Sequence, residues 1–190
     1  MNIHQNLKKK NFSNKFIIIS IIYIFLTNNY FSFDESLIFG AADGATYMQI
    51  TKNFPNFLEN NSAITHNQRF LFPYAIGLFS SFLNIDYFVG YRISVVILLF
   101  FLLFIFNKNL NFIKSDDSSK LVAFGLIIFN PYLIRYYLAL PTLINDLTFI
   151  ISSQLILYGF FSNQKKFCYF GLIISLFSRQ TGIVFLITLI

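Results

Sequence analysis

Charge is scarce in this chain. Only 12% of its residues are Asp, Glu, Lys or Arg, against 56% hydrophobic and 20% aromatic, a balance that excludes an ordinary soluble domain. Cysteine is nearly absent. Cys168 is the single one, so neither an intramolecular disulfide nor a thiolate metal cluster can form, and it reads as a packing residue at a membrane edge. There is no glycine-rich phosphate loop and no nucleophile elbow, which leaves nucleotide-driven chemistry without support. Nor is there a basic patch with interleaved aromatics, so the net charge of +6 calls for no nucleic-acid partner. The adjacent acids Asp116-Asp117, followed by Ser118-Ser119, lack the histidines or further carboxylates of a metal site and read as a solvated turn with a helix cap.

What the chain does have is long apolar runs. Residues 87–106 supply the roughly 20 residues that a helix needs to cross the hydrocarbon core. Similar runs occupy 16–33, 121–140, 142–161 and 167–190; the first carries Thr27, Asn28 and Asn29, and the third is interrupted by Asn130-Pro131. Lipid offers no partner to backbone N–H and C=O groups, so such runs read as helices, and none shows the period-two alternation of a barrel strand. The expected fold is therefore all-α, a polytopic transmembrane helix bundle of about five spans forming one module over 1–190. The run 70–84 is shorter, a length compatible with an interfacial or re-entrant segment.

Lysine placement favours that reading of 70–84. If it does not cross, Lys8, Lys9, Lys10, Lys15, Lys108, Lys114, Lys120, Lys165 and Lys166 fall on one side and only Lys52 on the other, as the positive-inside bias prefers. The expected arrangement is a multi-pass protein of a bacterial inner membrane with a cytoplasmic N-terminus. It has a large outer loop, 34–86, with interfacial helices, and a second short one, 139–146. No small-x-small site follows the first apolar run, so the basic N-terminus and that run read as an uncleaved anchor. The chain stops at Ile190 inside an apolar run, which suggests the front part of a longer protein or one that needs a partner membrane subunit.

Ionisable groups at membrane boundaries are the candidates for chemistry, because desolvating them costs free energy unless something uses or pairs them. The first is Asp43 in Ala42-Asp43-Gly44-Ala45-Thr46-Tyr47. Asp43 and Tyr47 lie at i, i+4 and so share a helix face. Asp43 reads either as an N-cap beside an interfacial tyrosine or as a carboxylate base or metal ligand facing an outer cavity. Tyr47, Ile50, Phe54 and Phe57 or Leu58 form one apolar face, suited to lying on the membrane surface, and Pro55 ends the regular part. His66 and Arg69 close the outer loop. His66 reads as a loop residue or a ligand, and Arg69 as an interfacial anchor or a substrate contact. Asp146 follows Arg135, which either snorkels to the interface or supplies a fixed cation suited to phosphate. Asp146 itself either caps the helix beginning near Leu147 or acts with Asp43. Finally Ser178-Arg179-Gln180-Thr181-Gly182 interrupts the last run, as two half-helices meeting at a polar break would.

In order, these features resemble the GT-C membrane glycosyltransferases, the group of protein O-mannosyltransferase-like and aminoarabinose-transferase-like enzymes. Asp43 after the first span matches the start of that pattern. The stretch Arg69-Phe70-Leu71-Phe72-Pro73-Tyr74 looks like the family's proline segment leading into an interfacial helix. Tyr91-Arg92-Ile93, then Phe129-Asn130-Pro131 with Arg135 and Asp146, then Gly171 with Ser178 to Gly182, resemble its later landmarks, with arginine at 179 where lysine is usual. The resemblance implies transfer of a sugar from a polyprenyl-phosphate donor to a lipid or surface-glycan acceptor on the outer face. By it, Asp43 would be the base, and Asp146 would assist or bind a divalent ion such as magnesium or manganese together with Asp43. Arg69, Arg135 or Arg179 would neutralise the lipid phosphate, with Tyr47 and His66 as further substrate contacts. The rival readings are a transporter or flippase subunit whose acids line a path, and a non-catalytic membrane protein.

Overall fold

A computed structural model describes residues 43–56, 69–130 and 132–185, together with Ile18, Ile19, Ile22, Tyr23 and Leu26 of the first apolar run. Among the described residues all regular structure is helical. Seven α-helices follow in order: α1 Gly44–Lys52, α2 Leu71–Leu83, α3 Tyr87–Phe112, α4 Asp117–Phe129, α5 Ile134–Ala139, α6 Ile144–Phe161 and α7 Lys165–Ser178. Short 3-10 turns, Pro141–Leu143 and Gln180–Gly182, precede α6 and follow α7.

Among the described residues, three stretches are long and apolar enough to cross a membrane: Tyr87–Phe112, Asp117–Ala139 and Pro141–Phe161. The run expected over 87–106 thus continues one and a half turns further, to Phe112. The run expected over 121–140 is α4 followed by α5, parted at Asn130, whose side chain turns back to accept from the Tyr132 N–H at 2.8 Å. The expected span 142–161 is α6 with its preceding turn. Of the expected span 16–33 only the five residues named above are described; Tyr23 among them packs its ring edge on Phe129. Over the expected span 167–190, α7 ends at Ser178, roughly 21 Å for its 14 residues; helix resumes over 183–185 after the 3-10 turn, and 186–190 lie outside the described residues. Likewise α2, with 13 residues, reaches only about 20 Å, short of the roughly 30 Å hydrocarbon core.

The helices share two ends. Asn109 of α3 donates to Gln154 of α6 at 2.9 Å, and Phe112 meets the Tyr158 ring, so α3 and α6 run side by side in the same direction. The α4–α5 pair and α7 return the other way. Lys108, Lys114, Lys120, Lys165 and Lys166 gather at the end where α3 and α6 finish. Asp43, Arg69, Asp86, Asp146 and Arg179 gather at the end where they start.

Between them lies a core of Val95, Leu99 and Leu103 from α3, Phe124 and Ile128 from α4, and Leu147, Ile151 and Leu155 from α6. Outward, Phe82, Ile97, Leu126, Phe160 and Ile173 are exposed. A surface this apolar on a small bundle is what lipid contact requires. Small residues allow close helix approach: at Gly171 of α7 a Cβ would sit 2.8 Å from the Ser152 carbonyl oxygen of α6. Lipid tails are as apolar as the helices, so such backbone proximity is a main source of association in a bilayer.

The amphipathic helix expected after Asp43 does form, but its apolar face is covered by protein rather than laid on a membrane surface. Tyr47, Met48, Ile50 and Thr51 are all buried, Met48 in the same core as Ile76 and Tyr91. The reason is α2, which folds back over α1 so closely that a Cβ at Gly77 would stand 2.7 Å from the Thr51 carbonyl oxygen.

Candidate functional site

Two acid–arginine pairs form at the end where α3 and α6 begin. Asp43 occupies the N-cap position of α1 but makes no side-chain cap hydrogen bond, because its backbone is helical rather than extended there. Its carboxylate instead faces Arg69, with Oδ2 3.6 Å from a terminal guanidinium nitrogen. The same nitrogen donates to the Tyr47 hydroxyl at 3.4 Å. Asp43 and Tyr47, one helical turn apart, therefore grip one cation.

Asp146 lies in the first turn of α6, a helix that starts at Ile144 rather than near Leu147, so it is not the cap. Its Oδ1 accepts from Arg179 Nε and lies 2.7 Å from the Arg179 terminal nitrogen as well. Arg179 is the extended residue, φ −148° and ψ 144°, that ends α7; continuing the helix would swing its side chain elsewhere. Ser178, one residue earlier, locks the break by pairing its hydroxyl with that of Thr148 at 2.9 Å. Arg179 also stands over the Phe149 ring, 6.0 Å from its centre. The Asp146 hydrogen bond raises the Arg179 guanidinium above its already high ordinary value, so this cation is permanent.

The pairs form one site through α6. Asn145, beside Asp146, donates to the Arg69 carbonyl at 3.1 Å, so consecutive residues of one helix hold the Arg69 backbone and the Arg179 side chain. Tyr47 and Tyr137 both lie close enough to feel the Arg179 charge. Underneath, Thr51 and Tyr91 share a 2.7 Å hydrogen bond. Thr51 also reaches the Pro73 carbonyl at 2.9 Å, and Tyr91 donates to the Tyr47 carbonyl at 3.2 Å. This buried network fixes α1 to α2 and α3, and so fixes Asp43 and Tyr47. The charged side chains above it remain partly open: 34% for Asp43, 21% for Arg69, 25% for Asp146 and 40% for Arg179, enough for a ligand to reach them.

Of the residues expected to act together, the structure joins Asp43, Tyr47, Arg69, Asp146 and Arg179. Arg135 is exposed on α5, and His66 lies outside the described residues. Of the supporting residues, Tyr91 and Ser178 fall within the stretches that the sequence already marks, whereas Thr51 and Asn145 carry no sequence signal of their own.

As a metal centre the donor set fits poorly. Among the described residues no three His, Cys, Asp or Glu side chains come together, and both Asp43 and Asp146 already face a guanidinium, whose charge opposes a second cation. The arrangement suits an anion better, since an incoming phosphate can exchange with a carboxylate for the same arginine fork. Compared with known protein families, curated proteins and solved structures, the chain matches none.

Proposed function

We propose that this chain is the membrane module of a GT-C-like glycosyltransferase, acting at the outer face of a bacterial inner membrane on a polyprenyl-phosphate-linked sugar. The observation that carries the reading is the convergence of Asp43, Tyr47, Arg69, Asp146 and Arg179 from four separate parts of the chain at one end of an apolar bundle. Lysines crowd the opposite end, which the positive-inside bias assigns to the cytoplasm together with the N-terminus. The paired arginines are the receptor for the lipid phosphate. Asp43 takes the proton of the acceptor hydroxyl as that oxygen bonds to the sugar's anomeric carbon. The bond from that carbon to the phosphate oxygen breaks, its electron pair leaves with the lipid phosphate, and Arg69 and Arg179 neutralise the charge. Asp146 holds Arg179 in place until the phosphate arrives.

The test uses the purified chain in proteoliposomes with a radiolabelled polyprenyl-phosphate sugar and a mixed lipid acceptor. The expected result is release of polyprenyl phosphate and labelling of the acceptor, reduced at least about 100-fold by Asp43→Asn, the loss typical for a missing general base. Movement of the intact lipid-linked sugar between leaflets without cleavage would overturn transfer in favour of the transporter reading. Full activity of Asp43→Asn would remove Asp43 from the chemistry.

A further inference from the structure

The opposite end of the bundle holds a second feature. Where α6 turns into α7, a cavity of about 290 Å³ is lined by Gly159, Phe160, Asn163, Lys165, Cys168 and Tyr169. We infer that this cavity binds the headgroup of an anionic phospholipid from the surrounding bilayer, with Lys165 on its phosphate and the exposed rings of Phe160 and Tyr169 against its acyl chains.

Three observations converge on it. The first is charge. The segment 160–170, Phe-Phe-Ser-Asn-Gln-Lys-Lys-Phe-Cys-Tyr-Phe, holds two lysines and no acid. Lys165 and Lys166 are the first two residues of α7, where the helix dipole is positive and a basic residue is electrostatically misplaced. No acid occupies that first turn and no side chain caps it. Lys166 stands over the Phe167 ring at 5.3 Å, and an anion there would relieve the charge of Lys165 as well. The second is chemistry: the lining combines polar Asn163 and Lys165 with the aromatic rings of Phe160 and Tyr169, 72% and 61% exposed, the amphipathic profile of a phospholipid at the headgroup boundary rather than of a free ion. The third is depth. Lys108, Lys114 and Lys120 mark the same end of the bundle, which places the cavity at the level where headgroups lie.

Cys168 supplies its own readout, since it lines the cavity and is the single cysteine of the chain. The full chain is reconstituted into nanodiscs of pure phosphatidylcholine or of phosphatidylcholine with phosphatidylglycerol, and Cys168 is labelled with neutral N-ethylmaleimide. The expected result is several-fold slower labelling with phosphatidylglycerol, and no slowing when inorganic phosphate replaces that lipid. Lys165→Gln with Lys166→Gln abolishes the protection. The pair Lys108→Gln with Lys114→Gln, which removes equal charge elsewhere at the same end, leaves it intact. A lysine near an anionic surface contributes about fivefold in affinity, so lipid retained in native mass spectrometry falls roughly 25-fold for the 165/166 pair. Equal labelling in both bilayers, equal effects of the two lysine pairs, or protection by inorganic phosphate alone would each overturn the inference. Circular dichroism confirms that each variant keeps its helices, and a variant that does not is replaced by Lys165→Gln alone, read in the same two assays.

Discussion

At the scale of single residues, the site rests on two kinds of polar contact that differ in worth. The Asp146–Arg179 pair is half-buried, with 25% and 40% of its side chains exposed, between the nearly worthless surface ion pair and the buried pair whose breaking is severe. Asp146→Ala therefore destabilises the chain by about 1–2 kcal/mol, and adding Arg179→Ala recovers part of that because no half-buried cation is left behind. A double-mutant cycle read by thermal unfolding in detergent checks this; simple additivity would mean that the pair is not coupled. The Tyr91 hydroxyl is fully buried and bonded to Thr51 and to the Tyr47 carbonyl. Tyr91→Phe leaves Thr51 its other acceptor at Pro73, so the expected loss is only about 0.5–1.5 kcal/mol, visible as faster proteolysis of α1. Spacing alone puts Asp43 and Tyr47 on one face, and a polar break in an apolar run marks Arg179. Pairing is not legible in the same way: Arg135 is the near neighbour of Asp146 in sequence, yet the partner is Arg179, 33 positions away, because only tertiary packing returns α7 to the start of α6.

At the scale of elements, sequence length and caps decide what packing then refines. Asp116 caps α4, its carboxylate accepting from the Ser119 N–H at 3.4 Å. Hydrogen bonding to Ser119 holds that carboxyl below its ordinary value of 3.8. A carboxyl lowered on folding stabilises the helix start above its unfolded pKa and ceases to do so as pH falls through the lowered value. Amide exchange over 117–120, corrected for intrinsic rates, should accelerate as pH drops below about 4, and Asp116→Asn should flatten that dependence; an unchanged profile in the variant would assign the effect elsewhere. The α1–α2 contact obeys sterics instead. Adding a methyl at Gly77 places it against the Thr51 carbonyl and Phe54, an overpacking cost of about 1–3 kcal/mol. Gly77→Ala should lower the melting temperature and detach α1, whereas Gly125→Ala, with nothing within 4 Å of its added Cβ, should not. Hydrophobic length by itself marks the three stretches long enough to cross among the described residues, since that signal is local to each run, but it also marks 167–190, where α7 stops at Ser178. The covering of α1 by α2 is not legible in the sequence, because an amphipathic face looks the same whether lipid or protein lies on it.

At the scale of the whole molecule, the two ends differ in charge type. The end with the acid–arginine pairs also holds Lys52 and Asp86, while the other carries five lysines and two aspartates among the described residues. Chain direction through α3, the α4–α5 pair, α6 and α7 keeps those groups apart, so a single orientation in the membrane satisfies all of them at once. A bilayer with a negative cytoplasmic surface favours the lysine end by about 1 kcal/mol per lysine near it, several kcal/mol in total. Inverting the bundle would lose that and place the acid–arginine site on the cytoplasmic side, away from the outer acceptor of the proposed reaction. The orientation is tested on a Cys168→Ser background with one new cysteine per variant, Lys52→Cys at the site end or Lys165→Cys at the other, both exposed positions. A membrane-impermeant maleimide added to intact spheroplasts should label Lys52→Cys at once and Lys165→Cys only after permeabilisation. The reverse order would turn the site to the cytoplasm and end the case for an outer-face donor, and labelling of both without permeabilisation would show that the chain does not hold one orientation.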